Sequence, residues 1–534
     1  MASVRRGRRV PVADLKRRDE RGRAAALVRG QHPYGVQPTG NLYMAPDPQA
    51  ALRSRSEGLG YFAMLPDEVI LQCLLAELSP ADLLRLGSTS RAFYVYASHD
   101  ELWKLMVIDR FNGDFDFDAT WRRTYMRMCG ATLSNVLVPS QLNVRSQTFA
   151  CFLLYFCYLF DAFLMLLLLS HNISAVNLRP LQLPPLYSDV LFDSWRCSSH
   201  ELRPSWLSVE SIPRRSGLSP AEFISEYESP NLPVILTDVV PSWPAYGTWS
   251  LDSLCAAHGD ARFIAGEVRI SLSRYAQYAR QTTDESPLYI FDHAFGETAP
   301  ALASAYSVPS YFSDDLFRLL GPSRPKHRWI LVGPARSGSK FHKDPNSTSA
   351  WNAVLTGSKR WIMFPPSVTP PGVFPSEDGA TVTAPVSVLD WLTSFLDEAR
   401  RMATPPLEAT VKAGEIIFVP RGWWHLVINV DEGVAITQNY VSRQSLPHVL
   451  RFLRDTPELV SGYKGEVPLF EAFEQRLRES EPEMLREALE KVDEMIEQES
   501  RGGHSLWKRL KTDGDEQPFS FAFGDDDEVE EENE

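Results

Sequence analysis

The feature that most constrains the fold is a pair of short motifs, Lys340-Phe-His-Lys-Asp-Pro345 and Pro420-Arg-Gly-Trp-Trp-His425. In the first motif His342 and Asp344 are two residues apart, so on a strand their side chains point to the same face. In the second motif His425 follows a glycine-bearing turn that comes just after the apolar run Ile416–Val419. The pattern predicts that His342, Asp344 and His425 converge on one metal ion.

Two imidazoles and one carboxylate are the ligand set typical of a non-haem Fe(II) oxygenase, because three coordination positions stay open. A bidentate 2-oxo acid fills two of these positions and O₂ fills the third. A His-x-Asp pair alone is weak evidence, since most such pairs are surface residues or core histidines with ordinary partners. The second block, which is preceded by Val411-Lys-Ala-Gly-Glu415, makes the combined pattern specific. We therefore expect the three ligands to form the catalytic centre.

Short β-rich runs separated by glycine and proline turns fill the region after Leu218, and such runs predict an all-β core. The runs are Pro233–Thr237, Ser286–Phe291, Arg328–Val332, Ser349–Leu355, Arg360–Phe364, Glu415–Val419 and Val434–Thr437.

After Ser445 the pattern becomes helical, with an apolar stripe on a glutamate-rich background. The stripe consists of Phe473, Leu477, Leu485, Leu489, Val492 and Ile496. It leaves two uses open: a homodimer formed through the C-terminal helices, or helices that pack back on the sheet.

Lys359 is the candidate partner for the far carboxylate of 2-oxoglutarate. It follows the turn Thr356-Gly-Ser358 and alternates with Trp361 and Met363 on one strand face. A carboxylate buried in an apolar barrel needs a cation, because an unpaired buried charge is costly. The alternative is an exposed lysine in a hairpin, which is the more common situation for a lysine taken alone.

A compact helical hairpin is predicted near the N-terminus. Pro66 with Asp67 and Glu68 favours helix initiation, and Ser79-Pro80-Ala81-Asp82 is typical of the cap of a second helix. The order of the apolar blocks from Leu65 to Trp103 resembles the F-box. The resemblance implies that the Leu65-Pro66 end and the apolar helix face dock the Skp-type adaptor of a cullin ubiquitin ligase. The alternative is a small helical domain whose leucines only pack internally.

A second resemblance spans about Leu207 to Leu450. The blocks that carry it are Leu218–Phe223, Ser286–Asp292, Phe312–Phe317, Gly333–Ser339, His342–Pro345, Thr348–Ala353, Gly357–Trp361, Gly422–His425 and Ala435–Asn439. Together they resemble the Jumonji-C subfamily of lysyl 5-hydroxylase and disputed arginine demethylase, formerly called the phosphatidylserine receptor.

This resemblance implies a double-stranded β-helix of the cupin (jelly-roll) type, with iron on His342, Asp344 and His425 and with 2-oxoglutarate on Lys359. Ser339 stands where the family usually has threonine, and its hydroxyl fits the same contact. Tyr289, Asn352 and Thr437 match family positions that line the cofactor pocket, and Asn439 matches one near the metal.

For Tyr289, Asn352, Thr437 and Asn439 the alternative is ordinary strand packing, because interior polar side chains need partners in any case. Trp423 and Trp424 are expected in the core and pocket wall rather than in a substrate cage. The sequence departs from the subfamily in having an F-box and in lacking long Lys/Arg tracts and a serine-rich tail. The resemblance therefore leaves the substrate open.

The two ends of the chain carry opposite charges. The first thirty residues are rich in Arg and Lys, and the last eleven are almost all Asp and Glu, so both are expected to be disordered. A net charge of −14 does not indicate direct nucleic-acid binding, although the basic end fits a nuclear import signal. The six cysteines form no C-x-x-C pair and no secretory signal is recognisable, which favours nucleus or cytoplasm.

The apolar run Phe149–Leu169 is long enough to cross a bilayer, and Asp161 is its only charge. A membrane span would leave the helical domain cytosolic and place the oxygenase in the lumen, so we disfavour it. The favoured reading is translated intron sequence over roughly Arg145 to Pro185, and the third is a buried apolar hairpin.

These patterns divide the chain into six segments. They are a basic disordered region (1–58), an F-box domain (59–130), a linker with the apolar segment 149–169 (131–200), a Jumonji-C domain (201–460), C-terminal helices (461–500) and an acidic disordered tail (501–534). The expected function is Fe(II)- and 2-oxoglutarate-dependent hydroxylation, or demethylation, of a protein lysine or arginine side chain, with O₂ as oxidant. The alternative is a ubiquitin-ligase adaptor that recognises its target without turnover.

Overall fold

The computed structural model of the chain describes residues 32–44, 48–130, 186–376 and 381–512. The chain separates into two compact units. The larger unit ends at Tyr440 and excludes Asp314–Pro325 and Pro345–Ser347, which belong with the residues from Val441 onward to the smaller unit.

The N-terminal part of the larger unit is helical. The first predicted helix is present as the π-helical segment Val69–Leu75, in which Ile70 and Leu71 are buried. The second is capped as expected, because Ser79 Oγ accepts a hydrogen bond from the Asp82 backbone N–H. The helical segments here are Pro48–Leu59, Val69–Leu75, Pro80–Thr89, Arg91–Ala97, Asp100–Phe111 and Trp121–Met128.

The described residues 32–44 and 48–58 are folded, so the expectation of disorder up to residue 58 was wrong for them. Strand β1 (Val36–Gln37) pairs in parallel with β2 (Leu186–Tyr187). Arg55 donates hydrogen bonds to the Asp67 carboxylate at 2.6 Å and to the Tyr96 hydroxyl at 3.1 Å. Basic composition was misleading because the charge is paired in the fold. Residues 1–31 lie outside the described residues.

The end of the expected linker is also folded. Helix Asp189–Ser199 is capped by Ser188 and buries Leu191 and Cys197, so the linker ends before β2 rather than at residue 200. Residues 131–185, which include the apolar segment 149–169, lie outside the described residues. The three readings of that segment stay predictions.

The remaining strands form the β-rich part of the larger unit, and each of the seven predicted runs overlaps one of them. The strands are β3 Arg214–Arg215, β4 Val234–Leu236, β5 Arg262–Ala265, β6 Val268–Ser271, β7 Ile290–Asp292, β8 Arg328–Gly333, β9 Gly338–His342, β10 Ser349–Thr356, β11 Ser358–Phe364, β12 Phe374–Pro375, β13 Val382–Thr383, β14 Leu407–Lys412, β15 Ile416–Val419, β16 Trp424–Asn429 and β17 Gly433–Tyr440. The accompanying helices are Pro220–Phe223, Leu251–His258, Leu272–Gln281, Phe295–Thr298, Pro300–Ala303, Val388–Ser394 and Leu396–Ala399.

Two sheets make the predicted double-stranded β-helix. The larger sheet has the strand order β3-β4-β15-β10-β17-β8-β7-β5-β6, and the smaller has the order β14-β11-β16-β9. Ile235, Val354 and Ile417 of the larger sheet pack against Trp361 and Met363 of the smaller sheet, so their apolar faces enclose a common interior. This confirms the predicted fold class.

The helical N-terminal part packs on this β structure, and both belong to the same compact unit. Asp284 is buried at the contact, where it accepts hydrogen bonds from Trp121 Nε1 at 2.8 Å and from the Tyr278 hydroxyl at 2.7 Å. Lys104 Nζ lies 3.7 Å from the same carboxylate. One apolar cluster continues through both parts, because Phe117 packs edge-on against Tyr278.

The smaller unit consists mainly of the helices Leu446–Asp455, Leu469–Ser480 and Pro482–Thr512. The last helix continues past residue 500, where the acidic tail was expected to begin; residues 513–534 lie outside the described residues. Phe473 and Leu477 of the apolar stripe are fully buried inside this unit, and Phe473 packs on Phe317 at a ring distance of 4.8 Å. The contacts therefore do not support the homodimer, because the stripe is used within the chain.

Among the described residues no single helix is long and apolar enough to cross a membrane. One bent pair, 55–64 with 69–75, passes on length and composition alone. It belongs to the helical N-terminal part, where Ile70, Leu71 and Leu75 are buried in the apolar core.

Candidate active site

The two histidines of the predicted metal site face each other across neighbouring strands. His342 on β9 is paired in register with His425 on β16, and their ring centroids are 4.1 Å apart. The Nδ1 atom of His342 is 2.8 Å from the Lys340 carbonyl oxygen, and that of His425 is 3.0 Å from the Trp423 carbonyl oxygen. A carbonyl only accepts, so each Nδ1 donates a proton to it and each Nε2 is the ring nitrogen left to bind a metal.

Asp344 completes the group from a different local structure than expected. Strand β9 ends at His342, so Asp344 lies in the following loop and not on the strand. The loop turns the carboxylate inward, where Asn439 donates a hydrogen bond to it. Burial raises the pKa of the Asp344 carboxyl, and the nearby His342 acts in the opposite direction.

The three side chains fit a metal ion. One ligand atom from each of His342, Asp344 and His425 can be chosen so that all three lie within 4.8 Å of one another. Asp344 Oδ2 is buried without a hydrogen-bond partner, which is costly unless a cation binds it. Burial lowers the pKa of His425 well below its usual range, so the ring stays neutral and able to bind a metal.

The turn before His425 depends on Gly422. Its φ is +72°, a left-handed conformation that side chains with a Cβ rarely adopt. The turn lets the chain reverse after β15 and enter β16 at Trp424, so that His425 is the second residue of the strand.

Ser339 lies on the same wall as the histidines because of a register shift. Val427 pairs with Ser339 while His425 pairs with His342, so β9 has one more residue than β16 over this stretch. The Tyr289 hydroxyl and Ser339 Oγ are 2.6 Å apart. The structure thus brings together two of the residues that the resemblance assigned to cofactor binding.

Lys359 is buried, with only 2% of its surface exposed, so the alternative of an exposed hairpin lysine was wrong. Its Nζ donates a hydrogen bond to Asn429 Oδ1 at 2.9 Å. Burial lowers the pKa of Lys359 to about 8. Within the described part of the chain no carboxylate pairs with it, so the interior holds a cation that lacks an anion.

The metal ligands and Lys359 lie at opposite ends of one strand pair. On β11 Met363 pairs with His425, and Lys359 pairs with Asn429. Four residues of strand separate the two positions by about 13 Å between Cα atoms. That separation leaves room for a small diacid between the metal and the lysine.

Asn352 and Thr437 lie opposite each other on β10 and β17. The Thr437 hydroxyl donates to the Trp351 carbonyl at 2.9 Å, whereas Asn352 Oδ1 is buried without a partner. Strand packing therefore accounts for the Thr437 side chain, but it leaves the acceptor of Asn352 available to a ligand. Trp423 and Trp424 are both 5% exposed, as expected for core and wall residues.

Sequence reasoning missed Asn429, which connects Lys359 to the wall. Its amide accepts from Lys359 and donates to Ser337 Oγ at 2.9 Å. The signal was present in the sequence, because residues 425, 427 and 429 of one strand share a face. Trp361 was recognised only as a neighbour of Lys359, yet its ring stacks on His425 at 5.8 Å.

Comparison with known proteins agrees with this geometry. An F-box-like domain is matched over residues 62–109 and a cupin-like domain over residues 265–445. The chain is 41% identical over 492 residues to the arginine-specific demethylase JMJ22 of Arabidopsis thaliana. The match covers 92% of this chain and 89% of that protein. The chain belongs to the F-box-bearing Jumonji-C family. Both resemblances seen in the sequence are confirmed.

Other relatives match the Jumonji-C part alone. This Jumonji-C protein is 37% identical over 291 residues to the bifunctional arginine demethylase and lysyl-hydroxylase psr-1 of Caenorhabditis elegans, covering 52% of the chain and 70% of the relative. It is 27% identical over 296 residues to the human 2-oxoglutarate and iron-dependent oxygenase JMJD4, covering 49% and 69%.

Proposed function

We propose that this chain is an Fe(II)- and 2-oxoglutarate-dependent oxygenase that acts on a lysine or arginine side chain of a protein. The observation that carries the proposal is the group His342, Asp344 and His425, whose ligand atoms lie within 4.8 Å of one another. The names of the relatives support the same chemistry.

Each part of the site has a separate role in this proposal. His342, Asp344 and His425 hold the iron, and Lys359 binds the far carboxylate of 2-oxoglutarate. When bound, iron with 2-oxoglutarate and O₂ supplies an oxidant; one oxygen atom of O₂ enters succinate, with release of CO₂, and the other enters the substrate C–H bond. Tyr289 and Ser339 line the wall beside the iron, where their hydroxyls position the cofactor.

Hydroxylation of a lysine carbon is our leading reaction. Demethylation begins in the same way but hydroxylates an N-methyl group, which is then lost as formaldehyde. Both activities occur in the names of relatives, as arginine demethylase and lysyl-hydroxylase. The two reactions differ in the carbon that is placed near the metal.

Mass spectrometry of peptides distinguishes them. Peptides with a central lysine, arginine or Nω-methylarginine are incubated with the full chain, Fe(II) and 2-oxoglutarate in air. A gain of one oxygen supports hydroxylation and loss of a methyl supports demethylation. His342→Ala protein is the control, and wild-type protein that releases no succinate and binds no iron would refute the proposal.

We further propose that the helical N-terminal part docks a Skp-type adaptor. The F-box-like match supports this, and so does an exposed apolar face: Tyr61 is 79% and Met64 81% exposed next to the exposed Pro66. Arg55 fixes this end by donating to the Leu65 carbonyl at 3.1 Å. Such exposure of large apolar side chains is typical of a protein-binding surface.

Co-purification with the adaptor tests the docking surface. Leu65→Ala with Pro66→Ala should weaken adaptor binding, and Met64→Glu should do the same without risk to the core. Leu232→Ala, an exposed leucine of the β-rich part, is the matched control. Undiminished binding in both F-box variants would leave only an internally packed helical domain. Adaptor binding without any succinate release would favour the non-enzymatic adaptor.

We also propose a nuclear or cytosolic location, for which the cysteine pattern and the basic N-terminus are the support. Imaging of the full chain, with and without residues 1–31, tests it.

A further inference from the structure

Two aromatic rings stand partly exposed on the wall of the candidate active site. Phe291 and Trp329 are stacked, with ring centroids 5.4 Å apart and an interplanar angle of 17°. Phe291 is 39% exposed and Trp329 is half-buried. Large aromatic side chains on an interior wall are normally buried, so this pair requires an explanation.

The strand register places the pair on the interior face of the larger sheet. Trp329 of β8 pairs with Thr437 of β17, and Phe291 of β7 pairs with Leu331 of β8. The alternate residues Ile330 and Val332 belong to the apolar cluster on the opposite face of the sheet. Phe291 and Trp329 therefore share the interior face with Thr437.

The pair is also close to the candidate metal. The His327 carbonyl accepts a hydrogen bond from the backbone N–H of Asn439, the residue whose amide holds Asp344. Trp329 is two residues along the same strand, about 7 Å between Cα atoms. On the other side the Phe291 ring is 6.2 Å from the ring of Tyr289, whose hydroxyl meets Ser339.

No cationic side chain of the described residues lies over these two rings, whereas one does lie over the ring of Trp424. Lys343 Nζ lies 4.8 Å from the centroid of the Trp424 ring, so that ring has a cation from the chain itself. Arg328 lies over Phe295, on the opposite side of the sheet from Trp329. Among the described residues no lysine or arginine lies over Phe291 or Trp329.

We propose that Phe291 and Trp329 form an aromatic platform that binds the cationic side chain of the protein substrate and determines the preference for it. The faces of aromatic rings attract ammonium and guanidinium groups, and a guanidinium also stacks on them. An anionic side chain is disfavoured by the same ring faces. The platform rests on the proposed function, since it assigns the lysine or arginine specificity of that site to two residues.

The test compares charged and uncharged probes on the intact protein. Short peptides that differ only at the central residue, which is lysine, arginine, norleucine or citrulline, are titrated into full-length protein loaded with Fe(II) and 2-oxoglutarate without O₂. Wild-type protein should bind the cationic peptides more tightly. Phe291→Leu and Trp329→Leu keep apolar volume but remove a ring, and each should reduce that preference by about tenfold.

Two further variants separate a platform from simple packing. Trp329→Phe keeps a ring and should retain part of the preference, which a packing role would not predict. Tyr246→Leu removes an aromatic ring of nearly equal exposure, 38%, outside the interior wall and should retain the whole preference. Thermal unfolding of each variant shows whether it is folded.

The outcomes distinguish the platform from the proposed function. Succinate release by wild-type protein in air, without peptide, tests the oxygenase alone. If succinate is released but wild-type protein shows no cationic preference, the platform is overturned and the oxygenase stands. An unchanged preference in both leucine variants overturns the platform in the same way.

Discussion

Lys359 and Arg360 are neighbours on β11 and point to opposite faces of the smaller sheet, where their partners differ. Arg360 donates to the buried carboxylate of Glu408 at 2.5 Å, and Glu408 also accepts from Arg400 at 2.7 Å. Lys359 is as deeply buried, but its Nζ donates to a neutral amide oxygen of Asn429.

Their partners distinguish the buried charge that stabilises the fold from the buried charge that binds a ligand. A buried cation is stable only when an anion and good hydrogen bonds compensate for its lost hydration. Arg360 has that compensation within the chain, so it is a structural residue. Lys359 lacks a carboxylate among the described residues, and its strand β11 pairs with the strand β16 that carries His425. The missing anion is therefore expected to come from the cofactor.

Removing a metal ligand should have the largest effect on activity. The effect should be limited to the face of the smaller sheet that carries Lys359 and His425, here called the inner face. In His342→Ala protein we expect succinate release at background level and loss of bound iron, because two protein ligands do not hold the metal in place. Thermal unfolding should change little, because His342 is only half-buried. Lys340→Ala, an exposed residue of the same strand, is the control. Residual turnover in His342→Ala would contradict the metal assignment.

Removing the buried cation of the inner face, Lys359, should raise the concentration of 2-oxoglutarate that the enzyme requires. Lys359→Ala would leave the far carboxylate buried without its partner, a loss of about 3 to 5 kcal/mol, or roughly a hundredfold or more in half-saturating concentration. Iron content should be retained. Lys412→Ala, an exposed lysine on the neighbouring strand β14, serves as the control. An unchanged half-saturating concentration would remove Lys359 from the cofactor site.

Removing the carboxylate of Glu408, on the opposite face of the smaller sheet, should lower the stability of the fold and leave cofactor binding unchanged. Glu408→Gln leaves the buried Arg360 with a neutral partner at position 408 and only the part-exposed Glu210 carboxylate at 3.3 Å. We expect the free energy of unfolding to fall by about 3 kcal/mol. The 2-oxoglutarate requirement should stay at the wild-type value, because this ion pair lies outside the cavity. Denaturant titration measures the first quantity, with exposed Glu398→Gln as control. A raised 2-oxoglutarate requirement in Glu408→Gln would show that the two faces are not independent.

The smallest effect is a pH dependence that only the inner face should show. Since the pKa of Lys359 is lowered to about 8, the free protein holds the charged lysine below that pH and loses it above. Binding of the anionic cofactor then requires uptake of a proton, so affinity should be constant below pH 8 and fall about tenfold per pH unit above it. Lys359→Arg should remove this dependence, because a guanidinium stays charged.

The stability of the unliganded protein should change with pH in the opposite direction to cofactor affinity. A base whose pKa is lower in the folded state destabilises the unliganded fold while it is charged. Below pH 8 that destabilisation from Lys359 is fully present, and it decreases as the pH rises toward the pKa of the unfolded chain, 10.5. Unfolding of unliganded wild-type and Lys359→Arg protein across this range would show the difference.

Motif spacing was most informative where the backbone alone sets direction. Alternation along a strand was enough to place Lys359 on one face with Trp361 and Met363. The turn at Gly422 in the second motif indicated His425 as a metal ligand. Alternation failed at Asp344, because β9 ends two residues earlier, and at Ser339, which reaches the common wall only through a register shift. A change of strand register depends on the partner strand, which local sequence does not reveal.

Amino-acid composition was least informative about where the folded segments begin and end. Residues 32–58 were expected to be disordered on their charge, yet Arg55 has its partners in Asp67 and Tyr96, and β1 pairs with a strand far along the chain. The F-box and the β-rich part were expected to be separate domains. In the structure Trp121 of the first part and Tyr278 of the second both donate hydrogen bonds to the Asp284 carboxylate. Long-range contacts of this kind have no local pattern.

Residue type and local spacing were enough to predict the ligand chemistry of the metal site and the all-β core. The folded structure was needed to show which buried charges are paired and that Asn429 accepts a hydrogen bond from Lys359. It was also needed to show that Phe291 and Trp329 stack, partly exposed, on the interior face of the larger sheet. The physical reason is that burial and pairing belong to sets of residues brought together from distant strands. The same lysine or phenylalanine is a surface, core or site residue according to the neighbours that folding supplies.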